Sequence, residues 1–201
     1  MMPYPVLCLA SASPRRRDLL ASIGVTVDVR PVAIDETPLP AEAASDYVIR
    51  LAREKALAGG GLSDLPVLGS DTAVVRDGLI LGKPAGREEA ADMLRELSGR
   101  AHEVLTGVAT SGPAGLLTTC VTTRVVMRVI SEAEIAAYWA TGEPADKAGG
   151  YAIQGRAAVF VEYIEGSHSA VVGLPLFQTA DMLIRQGVPV WNGSLPIRPM
   201  S

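Results

Sequence analysis

Three lysines stand in a chain that otherwise writes its cations as arginine: Lys55 in AREKA, Lys83 in LGKP and Lys147 in DKAG, against fifteen arginines. A lysine ammonium is a compact point charge on a flexible stem, which arginine's planar fork does not replace, so all three are candidate binding positions. A second signal is LASASPRRRDLL, Leu9 to Leu20. It reads as a strand end, Ser-x-Ser-Pro, then three arginines at the mouth of a helix. A helix N-terminus already carries about half a positive charge, so each cation there is unfavourable by a few tenths to about 1 kcal/mol. Something negative should offset them. Two hydroxyls, unpaired amides and guanidinium forks converging at one strand's carboxyl end suit a polyanion such as a phosphate chain. Successive helical residues turn by about 100°, so three arginines cannot share a face. One or two of Arg15, Arg16 and Arg17 are expected to serve a ligand, with Arg17 the one left to solvent.

Asp71 is the sharpest single residue. In PVLGSDTAVV an acid interrupts an apolar strand run between Ser70 and Thr72. A carboxylate entering a core costs several kcal/mol unless paired or metal-bound. It reads as a metal ligand or general base, or as a strand-end acceptor of hydrogen bonds. Glu36, in the Asp35-Glu36 loop, offers a second oxygen for a hard cation such as Mg²⁺. Gln154 lies in the small, apolar stretch YAIQGRAAVF. Its amide carries both donor and acceptor, so it either reads a base edge or sits as a satisfied buried amide. His102 and His168 lack ligand-like neighbours and read as structural, and Trp139 and Trp191 as packing or surface residues. Neither G-x-x-x-x-G-K-[ST] nor G-x-G-x-x-G occurs.

The 201 residues carry a formal charge of −4, with 48% hydrophobic residues and a mean hydropathy of +0.26. An acidic balance argues against a general nucleic-acid surface, so an anionic ligand must meet a local cluster of cations. No apolar run reaches the 18 or more residues of a membrane span, and Val6 to Ala10 is too short for a secretory core. A cytoplasmic protein is expected, with Cys8 and Cys120 as free thiols.

The elements that must position these residues follow from periodicity. Val6 to Ala10 is a short central strand; Ser13 caps a helix with Pro14 at its first position, which stops before Gly24. A strand follows at Val25 to Arg30, then a helix from Ala43 to Ala58 closed by Gly59-Gly60-Gly61. Pro66 to Thr72 is a buried strand, and Ala73 to Leu81 a hairpin turning at Asp77-Gly78. A helix over Glu88 to Leu97, strands at His102 to Ala109 and Thr118 to Val129, and a helix opened by the Ser131/Glu134 capping box come next. Thr141 to Gly155 is a polar loop, Val159 to Ile164 a strand and Pro175 to Gln186 a last helix. The segment from Val188 to Ser201, with three prolines, reads as a loose surface tail. The sum is one α/β domain, a mixed twisted sheet with flanking helices.

Taken in order, LASASPRR, Asp35-Glu36, AREKA, GSDT, LGKP, LSGRAHEVLTGV, TGEPADKAGGYAIQG and VVGLPL resemble the Maf family of nucleoside triphosphate pyrophosphatases, related in fold to the inosine triphosphatases. The resemblance runs from about Val6 to Gly187. It implies two lobes around a deep cleft within one catalytic domain over 1–187, a 188–201 tail outside it, a homodimer, a divalent metal (Mg²⁺ or Mn²⁺) and cleavage between the α and β phosphates. Position by position it makes Asp71 the catalytic proton acceptor. It places Ser11, Arg15, Arg16, Glu36, Lys55 and Lys83 around phosphates and metal, the latter held by Glu36 and Asp71. It links Arg15, Thr72 and Gln154 to substrate choice. DKAGGYAIQG looks like the branch acting on dTTP and UTP, with modified pyrimidine nucleotides also admissible. Neither nucleic acid nor membrane is expected as a partner. Because the family takes its name from an effect on septum formation, the alternative is a non-catalytic, nucleotide-sensing regulator of division.

Overall fold

The sheet grows outward from β1 (Leu7–Leu9), three apolar residues without solvent exposure. β1 pairs in parallel with β2 (Val27–Val29) on one side and β3 (Val67–Arg76) on the other, as suits a strand apolar on both faces. The full order is β2-β1-β3-β5-β6-β7, with β4 (Leu79–Leu81) antiparallel on β3; β5 is Ala101–Gly112, β6 Gly115–Met127 and β7 Val161–Glu165. The helices are α1 (Pro14–Ser22), α2 (Ala44–Gly60), α3 (Arg87–Leu97), α4 (Glu132–Ala140), α5 (His168–Val172) and α6 (Leu176–Arg185). These come from a computed structural model, which describes residues 4–193. Its mixed α/β sheet with flanking helices is the architecture the sequence leads one to expect.

The described residues gather into two compact units. Among the described residues the first draws on 4–71, 106–121 and 173–193. Its core holds Leu7, Leu9, Leu20, Val25, Leu68, Val108, Leu174, Met182 and Leu183. The second comprises 72–105 and 122–172. Its core includes Val74, Leu94, Leu97, Val104, Met127, Tyr138, Tyr151 and Phe160.

In the first unit, α2 lies in backbone contact with the sheet because the facing residues have almost no side chain. A Cβ on Gly69 of β3 would stand 2.3 Å from the Ala52 carbonyl oxygen, and one on Gly107 of β5 2.3 Å from that of Val48. On the helix side the contact is made by Ala52 and Ala56, packed with Ala109. This also explains why α2 does not stop at Ala58 as its glycines suggest. Gly59 stays helical with its missing Cβ aimed at Val67, where a Cβ would sit 2.7 Å from Cγ1.

Local signals hold elsewhere. Asp77 and Gly78 both take positive φ, 50° and 81°, and turn β3 into β4. They follow a β3 that runs unbroken through Asp71 into the hairpin. The Ser131/Glu134 capping box is present on α4 with both reciprocal bonds. Three expectations need correction. The strand expected from Val159 begins at Val161, because Glu143 accepts from the amides of Arg156 and Ala157 and starts a 3-10 turn over Arg156–Phe160. Helix α5, unforeseen, is opened by the Ser167 hydroxyl accepting from the Ala170 amide. Finally, Val188 and Val190 are buried in the first core, and the Trp191 amide donates to the Ile23 carbonyl at 2.7 Å. The packed chain thus continues beyond Gly187; the remaining tail, 194–201, lies outside the described residues.

His102 is buried in the second unit with Nε2 2.7 Å from the Tyr151 hydroxyl. Burial, helped by the charge of Arg76, pushes its pKa down to about 4.

Two predictions follow from the packing. Gly69→Ala should cost about 3 kcal/mol or more, since backbone atoms of α2 would have to retreat, whereas Gly60→Ala, with open space around it, should be neutral or stabilising by up to about 1 kcal/mol. Denaturant unfolding of the two variants measures the contrast. For His102, the folded imidazole stays neutral while the unfolded chain takes up a proton near pH 6.5. Stability is therefore lost as pH falls from about 6.5 to about 4, by up to ~3 kcal/mol from this residue. His102→Gln should flatten that slope when unfolding is followed across the same pH range.

Candidate active site

Alternation along β3 sends Ser70 and Asp71 to opposite faces. Ser70 is fully buried and donates to the carbonyls of Gly107 at 2.9 Å and Gly173 at 3.2 Å. Asp71 turns toward α2, where the close helix-to-sheet approach delivers Lys55. The Lys55 ammonium stands 2.7 Å from Asp71 Oδ1 and 2.6 Å from Glu36 Oε1. Its side chain is 9% exposed, that of Asp71 14% and that of Glu36 49%. One buried cation therefore joins two carboxylates that are 35 residues apart in sequence, and one of its three donors remains for another acceptor.

The loop carrying Glu36 is tied to α2 by residues that reading the sequence missed. The Tyr47 hydroxyl donates to the Glu36 carbonyl at 2.9 Å. Burial and the nearby carboxylates of Asp71 and Glu36 push that phenol up to about 12, so it stays a donor. Arg50 holds the Thr37 carbonyl at 3.1 Å and grips Glu42 through two bonds of 2.6 and 2.8 Å. Asp35 accepts from the Thr37 amide and turns the loop. The spacing of Tyr47, Arg50 and Lys55 on one helix was the available clue, but their loop partners have no local signature.

At the start of α1 the arginines separate as their angular spacing requires. Arg16 donates from Nε to the Gly173 carbonyl at 2.9 Å and from a terminal nitrogen to Ser11 Oγ at 3.0 Å. Burial holds its guanidinium below the ordinary value, while Asp71 and Glu36 act in the opposite direction, which puts all three charges in one electrostatic neighbourhood. Arg15 is half-buried and makes no ion pair or hydrogen bond among the described residues. Arg17 is exposed and pairs with Asp18, the bystander arrangement expected of it. Ser13 occupies the N-cap position, but its hydroxyl makes no capping bond, and no acid lies in the first turn. The mouth of α1 is thus cationic with no protein anion in its own first turn.

The remaining candidates belong to the second unit. Thr72 follows Asp71 on β3 and is half-buried. Lys83 is exposed just after β4, free of ion pairs among the described residues. Lys147 is largely buried and paired with Asp146. Gln154 sits exposed in a turn, which removes the reading of it as a satisfied buried amide.

Glu36 and Asp71 fit a hard divalent cation. Their oxygens already converge on one positive group, the Lys55 ammonium. Mg²⁺ is commonly held by one or two carboxylates, with water and substrate phosphates completing its shell. Arg16→Ala should weaken binding of inorganic triphosphate at least tenfold by calorimetry, the value of a charge-assisted bond pair, while Arg17→Ala should stay within about twofold.

The chain is similar to a protein of Hahella chejuensis named dTTP/UTP pyrophosphatase, 51% identical over 190 residues, covering 92% of this chain and 94% of that one. Proteins of the same name from Colwellia psychrerythraea (52%, covering 90% and 88%) and Escherichia coli O157:H7 (51%, covering 88% and 91%) are similar to the same degree. Among solved structures, a nucleoside-triphosphatase / dITP/XTP pyrophosphatase of Mycobacterium abscessus superposes with a TM-score of 0.40 and 16% identity, over 62% of this chain and 75% of that one, too slight a likeness to argue from. Residues 6–186 match the family described as Maf-like protein, and to that family the chain belongs.

Proposed function

We propose that this chain is a nucleoside triphosphate pyrophosphatase that hydrolyses dTTP and UTP to the monophosphate and pyrophosphate. The observation that carries the reading is the Glu36–Lys55–Asp71 cluster beside Arg16, two carboxylates and two cations within one electrostatic neighbourhood. Three relatives at 51–52% identity that carry the name dTTP/UTP pyrophosphatase support the substrate assignment.

In this mechanism Arg15, Arg16 and the amides at the mouth of α1 hold the phosphate chain, and Lys83 adds a mobile charge. Ser11 keeps the Arg16 fork in place. Lys55 neutralises the paired carboxylates and turns its remaining donor to a phosphate oxygen. Lys55 also fixes Asp71 through Oδ1, which leaves Oδ2 to take a proton from water. The water oxygen bonds to the α-phosphorus, the bond from the α-phosphorus to the α–β bridging oxygen breaks, and pyrophosphate leaves against the arginines. Glu36 and Asp71 would hold Mg²⁺ or Mn²⁺, which supplies charge neutralisation on the phosphate oxygens. Thr72 and Gln154 select the base, the exposed amide offering a donor and an acceptor to the edge of uracil or thymine. We further infer a cytoplasmic homodimer; no helix among the described residues is long and apolar enough to cross a membrane.

A product assay tests the reading. With Mg²⁺, then Mn²⁺, UTP and dTTP should yield UMP and dTMP with pyrophosphate, resolved by chromatography. Asp71→Asn should lose about 10²- to 10⁴-fold in rate, the usual contribution of a positioned base. Nucleoside diphosphate with inorganic phosphate would overturn the bond assignment. No turnover on any triphosphate would favour the nucleotide-sensing regulator instead.

A further inference from the structure

The turn that presents Gln154 is gripped at both ends by residues with no part in the chemistry above. On its N-terminal side the buried Tyr151 hydroxyl meets His102 Nε2 at 2.7 Å, the rings packed edge to face with centroids 5.4 Å apart. One residue on, the Ala152 amide donates to the Tyr138 hydroxyl at 3.2 Å. That hydroxyl donates in turn to Glu143 Oε1 at 2.7 Å. On the C-terminal side the Glu143 carboxylate accepts from the Arg156 amide at 3.0 and 3.1 Å and the Ala157 amide at 3.4 Å. Gly155 makes this possible, since a Cβ there would stand 2.5 Å from Glu143 Oε2. Burial opposes the charged form of Glu143, but the Tyr138 hydroxyl and the two amides outweigh it and keep its carboxyl below the ordinary value.

A single hydroxyl and a single carboxylate thus link the backbone before the turn to the backbone after it. Ile153, Gln154 and Gly155 are the residues left between the anchors. An amide that selects a base by its pattern of donor and acceptor must be held to about 0.5 Å. Ile153 packs against the second unit's core, but Gln154 itself is exposed, so its backbone orientation depends on the anchors on either side.

We propose that Tyr138 and Glu143 are positioning residues for base selection, fixing the Gln154 turn so that its amide meets the pyrimidine edge in one orientation. The proposal rests on the pyrimidine reading given above. It predicts a loss of discrimination that is separate from any loss of fold.

Tyr138→Phe is the first variant, because it keeps the ring and its edge-to-face contact with Phe160 while deleting the hydroxyl. kcat/KM for UTP and dTTP, set against that for ATP, should show the pyrimidine preference reduced about tenfold or more, chiefly through KM, as expected when a contact shifts by about 1 Å. Hydrogen exchange at the amides of Ala152 and Arg156 should quicken in the same variant. Glu143→Gln retains an acceptor for the amides and should lose less preference than Glu143→Ala; if Glu143→Ala fails to fold, Tyr138→Phe decides. Faster exchange with the preference intact would overturn the positioning role and leave the pyrimidine reading standing. A wild-type chain that showed no pyrimidine preference would remove that reading, and the positioning role with it.

Discussion

The candidate site depends on the absence of two side chains. At Gly69 and Gly107 the sheet presents bare backbone, and α2 settles onto it through Ala52 and Ala56. Only at that separation does a lysine on α2 reach an aspartate on β3 and still touch a glutamate from the preceding loop. Any larger residue at either glycine would push the helix outward and pull the ammonium away from its carboxylates. The same approach buries the lysine, and burial gives the charges weight, because a Coulomb interaction grows as water is displaced.

Both buried cations of the candidate site are compensated. Lys55 answers Asp71 and Glu36; Arg16 is held by a carbonyl and a hydroxyl and feels both carboxylates. Most of the surface pairs, such as Arg17 with Asp18, contribute little to stability because solvent screens them. What distinguishes the site is therefore not how many ions it contains but that Lys55 and the two carboxylates fix one another and that Arg16 is fixed by a backbone carbonyl. That carbonyl, of Gly173, is shared with Ser70.

Much of this was legible in the sequence wherever the cause is local. Pro14 at a helix start, Asp77-Gly78 between strands and the Ser131/Glu134 box each act within a few residues, and the structure has them where the pattern puts them. The acid in an apolar strand and the scarce lysines marked Asp71 and Lys55, and the loop acid marked Glu36. What could not be read was partnership across distance. Nothing near Gly59 says that its hydrogen faces Val67, so the helix seemed to end two residues early. Nothing near Arg156 announces that Glu143 will accept its amide, so a strand seemed to begin two residues too soon. Tyr47, Ser70 and Gly173 were passed over for the same reason. Each is ordinary in its own stretch and acquires its role only from a residue far along the chain.

The first unit is assembled from three separate lengths of chain, and the second is complete by residue 172. Arg16 is made before its acceptor, the carbonyl of Gly173, which follows 157 residues later. Until Gly173 is made, the nascent chain carries the arginine-rich mouth of α1 without the carbonyl that orients it. Long-range closures of this kind are slow steps in folding, since chain entropy must be given up before the contact is gained. The cationic mouth of α1 therefore gains its orienting carbonyl only after the chain has been made as far as Gly173. That bond joins the helix after the first strand to the segment just before the final helix.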